Sequence, residues 1–486
     1  MANSAAVASD HAGAGPMDKH PKGLYVLFAT EMWERFSFYS MLAMFTLYLR
    51  DPNEGFGWTA AEATSLYANY LMFVYLSPLV GGFIADRVTG YRKAVMIGGL
   101  FFIAGHLLLS LSSLTAVYAA LTCLVIGNGF FKPNVSTMVG NLYPEGSHLK
   151  DRAYNIFYMG INIGAFLAPL IAGWVRAQWG FHPAFAVAAG GMVISVWILF
   201  QFKKHIHEPS RKAGAPATAS PTAATRSGDT AADTAATAAD APPHGVSHQD
   251  EAASRQGVMD AVPEWKRIVA LCVIFAVVIV FWMVFHQNAS TLTYFADANT
   301  DWTAIFSAET AKESGGIISN SINPFWVITL TFPLVWFWGF LDRRGLEPST
   351  PTKMAFGMTL TGLSFFILFF AARAGEAAAV GGDPYAFRVS PLWLITSYFV
   401  VTLGELMLSP MGLSLVSKVA PIRLRGLMMG GWFVATAMGN KLTQIGVFWD
   451  RWLHSSFFAV LGTMALVMAV VLFLMLKPLK KAMPGV

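Results

Sequence analysis

Glu31, Glu34 and Arg35 stand at positions i, i+3 and i+4 of EMWERFSFYS (31–40), inside an otherwise apolar stretch. On a helix these positions share one face, so two carboxylates and a guanidinium stack together. A charge at mid-bilayer costs about 2.5–3.5 kcal/mol on insertion scales, so three of them must face the interior of a protein. Counted from Lys22, Arg35 lies about 20 Å along a helix that rises about 1.5 Å per residue. That is near the middle of a hydrocarbon core about 30 Å thick.

Other polar groups reach the same depth. Lys132 of GNGFFKPN lies about 15 Å, and Glu405 of TLGELMLSP about 20 Å, from the inner ends of their helices. Two cations thus come from the first half of the chain and an anion from the second. Asn162 and Asn323 add hydrogen-bonding groups; Tyr39, Tyr75, Trp282 and Trp432 add rings. A cavity so lined suits a zwitterion. Arg35 and Lys132 would hold its carboxylate, and Glu405, helped by Asn323, its ammonium group. Glu31 and Glu34 beside Arg35 make a proton switch: ionised they pair with it, protonated they release it. Ion pairs that merely join helices are the competing account. It does not readily explain opposite charges meeting between two bundles.

The elements that must position these residues follow from composition. Of 486 residues, 55% are hydrophobic and 13% charged, where soluble domains run at about 25% charged. The chain is therefore an integral membrane protein. Apolar segments fall at 23–49, 61–85, 94–114, 116–142, 151–178 and 182–202, and again at 264–296, 317–341, 353–373, 390–418, 425–449 and 455–478. An all-α fold of twelve transmembrane helices is predicted, in two six-helix bundles spanning 21–204 and 263–480. A disordered N-terminal tail (1–20, with no signal peptide), a flexible cytoplasmic linker (205–262, rich in Ala, Thr, Ser, Pro and Asp) and a short C-terminal tail (481–486) complete it.

With both termini cytoplasmic, Arg50, Arg176, Lys312, Arg373, Arg388 and Arg451 are the cations of the outer loops. Arg35, Lys132 and Lys441 lie within helices, and the rest of the 33 Lys and Arg are inside. The net charge of +5 thus reflects loops beside anionic lipid, and no nucleic acid is implied. GGFIADRVTG (81–90) and WGFLDRRG (338–345) place Asp86-Arg87 and Asp342-Arg343 at matched ends of the second helix of each half. This is the trace of a duplicated unit, with gating pairs that bridge to a neighbouring helix. Cys123 and Cys272 are expected as buried free thiols, His106 as a packed histidine, and Lys441 as a side chain reaching the outer surface. Nothing resembles a nucleophile–base pair, a metal cluster or a phosphate loop, so an enzyme is not expected.

At these residues the chain resembles the proton-dependent oligopeptide transporter family of the major facilitator superfamily. EMWERFSFY, GGFIADRVTG, YNIFYMGINIGAF (154–166), FKPN, SINPFW (321–326), GELMLSPMGLSLVSKVAP and MMGGWF match its characteristic segments, over nearly all of 20–480. The resemblance implies import of di- and tripeptides by alternating access, with protons as coupling ion, no other cofactor, and a monomer in the bacterial plasma membrane. It implies Arg35 and Lys132 at the peptide carboxylate, Glu405 and Asn323 at its amino terminus, and Asn162 at its backbone. Tyr39, Tyr75, Trp282 and Trp432 would line side-chain pockets, Glu31 and Glu34 would couple protons, and Lys132–Glu405 would help close a gate. Three positions depart from the pattern: Phe38 replaces a tyrosine, Leu42 an arginine, and His286 an acid. His286 is then either a proton relay or a neutral lining group. Two alternatives stay open: another small zwitterionic or drug-like substrate, and a peptide sensor that does not transport.

Overall fold

A computed structural model describes residues 19–143, 149–206, 259, 261–379 and 382–484. Nearly all of the expected tail (1–20) and linker (205–262), and the last two residues, lie outside the described residues. Among those described, helices of membrane length are α1 (Lys22–Arg50), α2 (Ala60–Ile84), α3 (Tyr91–Leu109), α4 (Leu114–Asn141), α5 (Leu149–Trp179) and α6 (Phe181–Phe202). The second half supplies α7 (Glu264–Phe285), α8 (Ile322–Asp342), α9 (Thr350–Ala378), α10 (Pro391–Val419), α11 (Arg425–Leu442) and α12 (His454–Ala482). Ten of these stretches are long and apolar enough to cross a membrane on composition alone. The exceptions are α1, which carries the charged triad, and α11, whose 18 residues include Asn440 and Lys441.

Packing reveals the duplication. α1 packs on α5 and α6, α2 on α4, and α3 on α4 and α6; α7 packs on α11 and α12, α8 on α10, and α9 on α10 and α12. Each of these contacts of the first bundle recurs six helices later, which is the signature of a pseudo-two-fold repeat. The closest approaches recur as well. A Cβ on Gly98 of α3 would lie 2.7 Å from the Gly127 carbonyl of α4, and one on Gly357 of α9 would lie 2.7 Å from the Gly404 carbonyl of α10. Between the halves, α2 lies against α11, while α5 lies against α8 and the short helix Ala308–Ile318 before it.

Prolines inside helices free backbone carbonyls, because each lacks the N–H that the residue four before it needs. Pro78 of α2 frees Val74, whose oxygen accepts from Asn128 Nδ2 of α4 at 2.8 Å. Pro133 of α4 frees Gly129, whose carbonyl fills the place a side chain at Gly81 of α2 would occupy. Each helix therefore covers the gap that proline opens in the other.

Two predicted helices are broken. The expected run 264–296 ends at Phe285, turns through His286–Ala289, passes Ser290 (φ −134°, ψ −97°) and resumes as Thr291–Ala298. Buried Gln287 explains the break: its Nε2 donates to the Met283 and Thr443 carbonyls, and its Oε1 accepts from Thr291 Oγ1 at 2.8 Å. The expected run 317–341 is likewise divided at Ser319–Ser321. There Asn320 Nδ2 donates to Thr293 Oγ1 at 3.0 Å, tying the two breaks together. α11 ends early, passing into a 3₁₀ turn at Thr443–Phe448. The thiols are free, but Cys123 is half-buried and Cys272 exposed. On a molecule whose belt faces lipid, an apolar solvent replaces the core as their surroundings.

Candidate functional site

The charged triad is built into α1 by its two neighbours. On α5, a side chain at Gly164 would run into the Met32 carbonyl and lie 3.2 Å from the Arg35 Cβ, so glycine brings that helix against the triad's own turn. On α6, the Ala188 carbonyl accepts from Ser37 Oγ at 2.5 Å, and Ser195 Oγ donates to the Thr30 carbonyl at 2.6 Å. Arg35 Nε donates to Glu34 Oε2 at 2.5 Å and Nη2 to Glu34 Oε1 at 2.7 Å. Glu31 lies 3.5 Å from Arg35 Nε. All three are at most 3% exposed, so this is a dry cluster with one more carboxylate than cation. The guanidinium stands 4.9 Å from the Phe38 ring centroid and 6.0 Å from that of Tyr39.

Those two rings form part of the wall of a central cavity between the bundles, enclosing about 820 Å³ of non-atom space, part of it open to solvent. Tyr39, Tyr75 and Asn162 line it from the first half, and Trp282, His286, Asn323 and Glu405 from the second. Asn323 Nδ2 donates to Glu405 Oε2 and to Thr402 Oγ1, both at 2.9 Å, which fixes the carboxylate at the wall. The reciprocal Gly357–Gly404 contact seats α10 one residue before Glu405.

The remaining predicted residues are placed differently. Arg35 stands beside Phe38 and Tyr39 and is not among the lining residues; nor is Lys132, which is half-buried with Nζ 5.1 Å from the Tyr75 ring centroid. Glu405 thus lines the cavity directly, while each cation stands next to a ring that lines it. Trp432 is buried against Phe275 (6.4 Å) and is absent from the lining. Asp86, Arg87, Asp342 and Arg343 sit exposed at the ends of α2 and α8, with Arg87 over the Phe83 ring. His286 stacks on Trp282 (centroids 4.9 Å apart, 24°) and meets the Tyr75 ring edge-on at 6.0 Å. Its backbone carbonyl accepts from Tyr67 Oη of α2 at 3.4 Å.

Sequence reasoning missed Asn288 and Asn320, which line the cavity at the two helix breaks. The polar run HQNAS within an apolar stretch was the available signal. His106 is fully buried on Phe102, and neither ring nitrogen has a hydrogen-bond partner, as for a packed histidine. Lys441 is half-buried, and its Nζ donates to Asn69 Oδ1 of α2 at 2.5 Å, across the seam between the halves.

A model described as the POT family matches residues 92–448. An uncharacterized transporter of Bacillus subtilis (strain 168) is 33% identical over 488 residues, which is 96% of this chain and 96% of the relative. A di-/tripeptide transporter of Lactococcus lactis subsp. lactis is 29% identical over 496 residues, covering 96% of this chain and 97% of its own. The crystal structure of a mutant peptide transporter in complex with sulfate is similar at a TM-score of 0.79, with 30% identity and 97% of each chain covered.

Proposed function

The chain belongs to the POT family of multi-pass membrane transporters, not enzymes, and from that premise we propose that it imports di- and tripeptides together with protons. The observation that carries this reading is the pairing of a wall carboxylate with a buried, acid-rich triad beside Phe38 and Tyr39, which line the cavity from the other half.

Glu405, oriented by Asn323, takes the peptide ammonium group. Asn162 takes the backbone, and Tyr39, Tyr75 and Trp282 take side chains. Arg35 and Lys132 supply the carboxylate end once the rings of Tyr39 and Tyr75 yield. Arg35 is not available while both of its strong bonds go to Glu34, so a proton on the Glu31–Glu34 pair is what frees it. Proton and peptide are thereby needed together, which is symport. Lys132 with Glu405, and the Asp86-Arg87 and Asp342-Arg343 turns, act as inner gates; Trp432 packs on Phe275 of α7. Residues 205–262 link bundles whose shared ends face the cytoplasm, and one copy of the chain suffices.

The test is uptake of a labelled dipeptide into proteoliposomes under an imposed proton gradient, with Glu405→Ala beside the parent. Gradient-driven accumulation in the parent, and its loss in Glu405→Ala, is expected. Binding of peptide without accumulation would make the protein a sensor. No response to any di- or tripeptide at any pH in folded protein would remove the peptide assignment.

A further inference from the structure

The halves meet at the outer ends of α2 and α11 through a polar seam that the transport reading leaves without a role. Ser65 and Asn69, one turn apart on α2, face Lys441 and Gln444, one turn apart where α11 becomes a 3₁₀ turn. Lys441 Nζ donates to Asn69 Oδ1 at 2.5 Å, and Gln444 Nε2 donates to Ser65 Oγ at 3.2 Å. Elsewhere on this outer side, opposite charges cross between the halves: Arg50 with Asp450 at 3.6 Å, and Arg176 with Glu313. At the seam, a half-buried ammonium is met by a neutral amide, and among the described residues no carboxylate lies within ion-pair distance of it.

We propose that Asn69 and Lys441 form an outer latch, a cation on a neutral acceptor, that must part each time the cavity opens to the outside. Its strength is intermediate by construction. A charged donor makes the bond stronger than one between neutral groups, while the absence of an anion keeps it weaker than a desolvated ion pair. When the seam opens, water takes over the ammonium, so the latch holds the closed state without trapping it. Both residues are positioning residues for the transport cycle. The inference rests on the two halves alternating in access, and not on which solute is carried.

The experiment reads access without substrate. Ala43 lines the cavity from α1 and has no role assigned above. In a Cys123→Ser, Cys272→Ser background, Ala43→Cys is labelled in intact cells with a membrane-impermeant maleimide, at matched amounts of inserted protein. Asn69→Leu should raise the labelling rate about tenfold, the lower end for loss of a hydrogen bond to a charged group. Asn69→Asp, which turns the latch into an ion pair, should lower it below the parent, and Lys441→Arg, which keeps a cationic donor, should match the parent. A seam that merely packs would loosen in both Asn69 variants or in neither, and either result overturns the proposal. Failure of peptide uptake would leave this measurement unaffected, so the two readings fail separately.

Discussion

Glu34→Gln tests the coupling step at the atom where it is drawn. Glu34 accepts both short bonds from Arg35, and neither side chain has meaningful access to water. Glutamine keeps the shape and one acceptor but points an amide N–H at the guanidinium. Removing one partner of a buried ion pair costs about 3–5 kcal/mol when the other charge is left alone. Here Glu31 remains 3.5 Å from Arg35, so the cost falls to about 2 kcal/mol, near that of a single charge-assisted hydrogen bond. The variant should therefore insert and fold, with Arg35 held as though Glu34 were permanently protonated. One proton carried with each peptide adds about 1.4 kcal/mol per pH unit, which is about tenfold in accumulation. In proteoliposomes under a gradient of about one pH unit, the parent should concentrate dipeptide up to about tenfold. Glu34→Gln should reach the same level on both sides while still exchanging labelled for unlabelled peptide in counterflow. Tenfold accumulation retained in Glu34→Gln would refute the argument, whatever the variant does to KM.

Asn323→Ala leaves Glu405 in place without its orienting amide, and should raise KM for dipeptides about tenfold, the scale of one hydrogen bond to a charged group; N-acetylated dipeptides, which lack the ammonium group, should compete equally with either protein. Gly81→Ala places a methyl group on the Gly129 backbone, and should lower thermal stability in detergent by about 1–3 kcal/mol or prevent insertion; an unchanged melting temperature would show that α2 and α4 can separate freely. His286→Gln should leave the pH profile of uptake in place, because the ring acts as a plate against Trp282; a displaced profile would assign it to proton relay. Asp301, partly exposed between Ala298 and Ala308, has its carboxyl held below the usual range by the side chain and then the backbone N–H of Thr303. A depressed folded value stabilises above the unfolded value and is lost as pH falls through the folded one. Asp301→Asn should therefore melt slightly below the parent near neutrality and together with it in strong acid.

The triad, Lys132 and Glu405 were legible because a charge in an apolar helix is too costly to be accidental, and its depth follows from counting residues. Which of them would face the cavity was not legible. Depth along a helix says nothing of the rings beside a charge, and Arg35 stands by Phe38 and Tyr39 as Lys132 stands by Tyr75. Trp432 shows the same limit, since a bundle helix offers an aromatic residue two faces and packing chooses. The break in α7 depends on Gln287 finding the Thr443 carbonyl, and Lys441 on finding Asn69. Those partners lie 156 and 372 residues away, beyond any local pattern. α1 was legible as an apolar segment at 23–49, although its charges keep it out of the stretches that composition alone marks as spans.

The traded carbonyls of α2 and α4 carry one more consequence. Tyr75 stands three residues before Pro78, and Lys132 directly before Pro133, so the cation and the ring it rests on sit beside the two kinks. Because Asn128 donates to the Val74 carbonyl and Gly81 lies against the Gly129 carbonyl, the two proline turns are packed directly on one another. α2 and α4 are thus coupled at one joint, and the lysine and the ring beside it ride there together, while α1 packs mainly on α5 and α6.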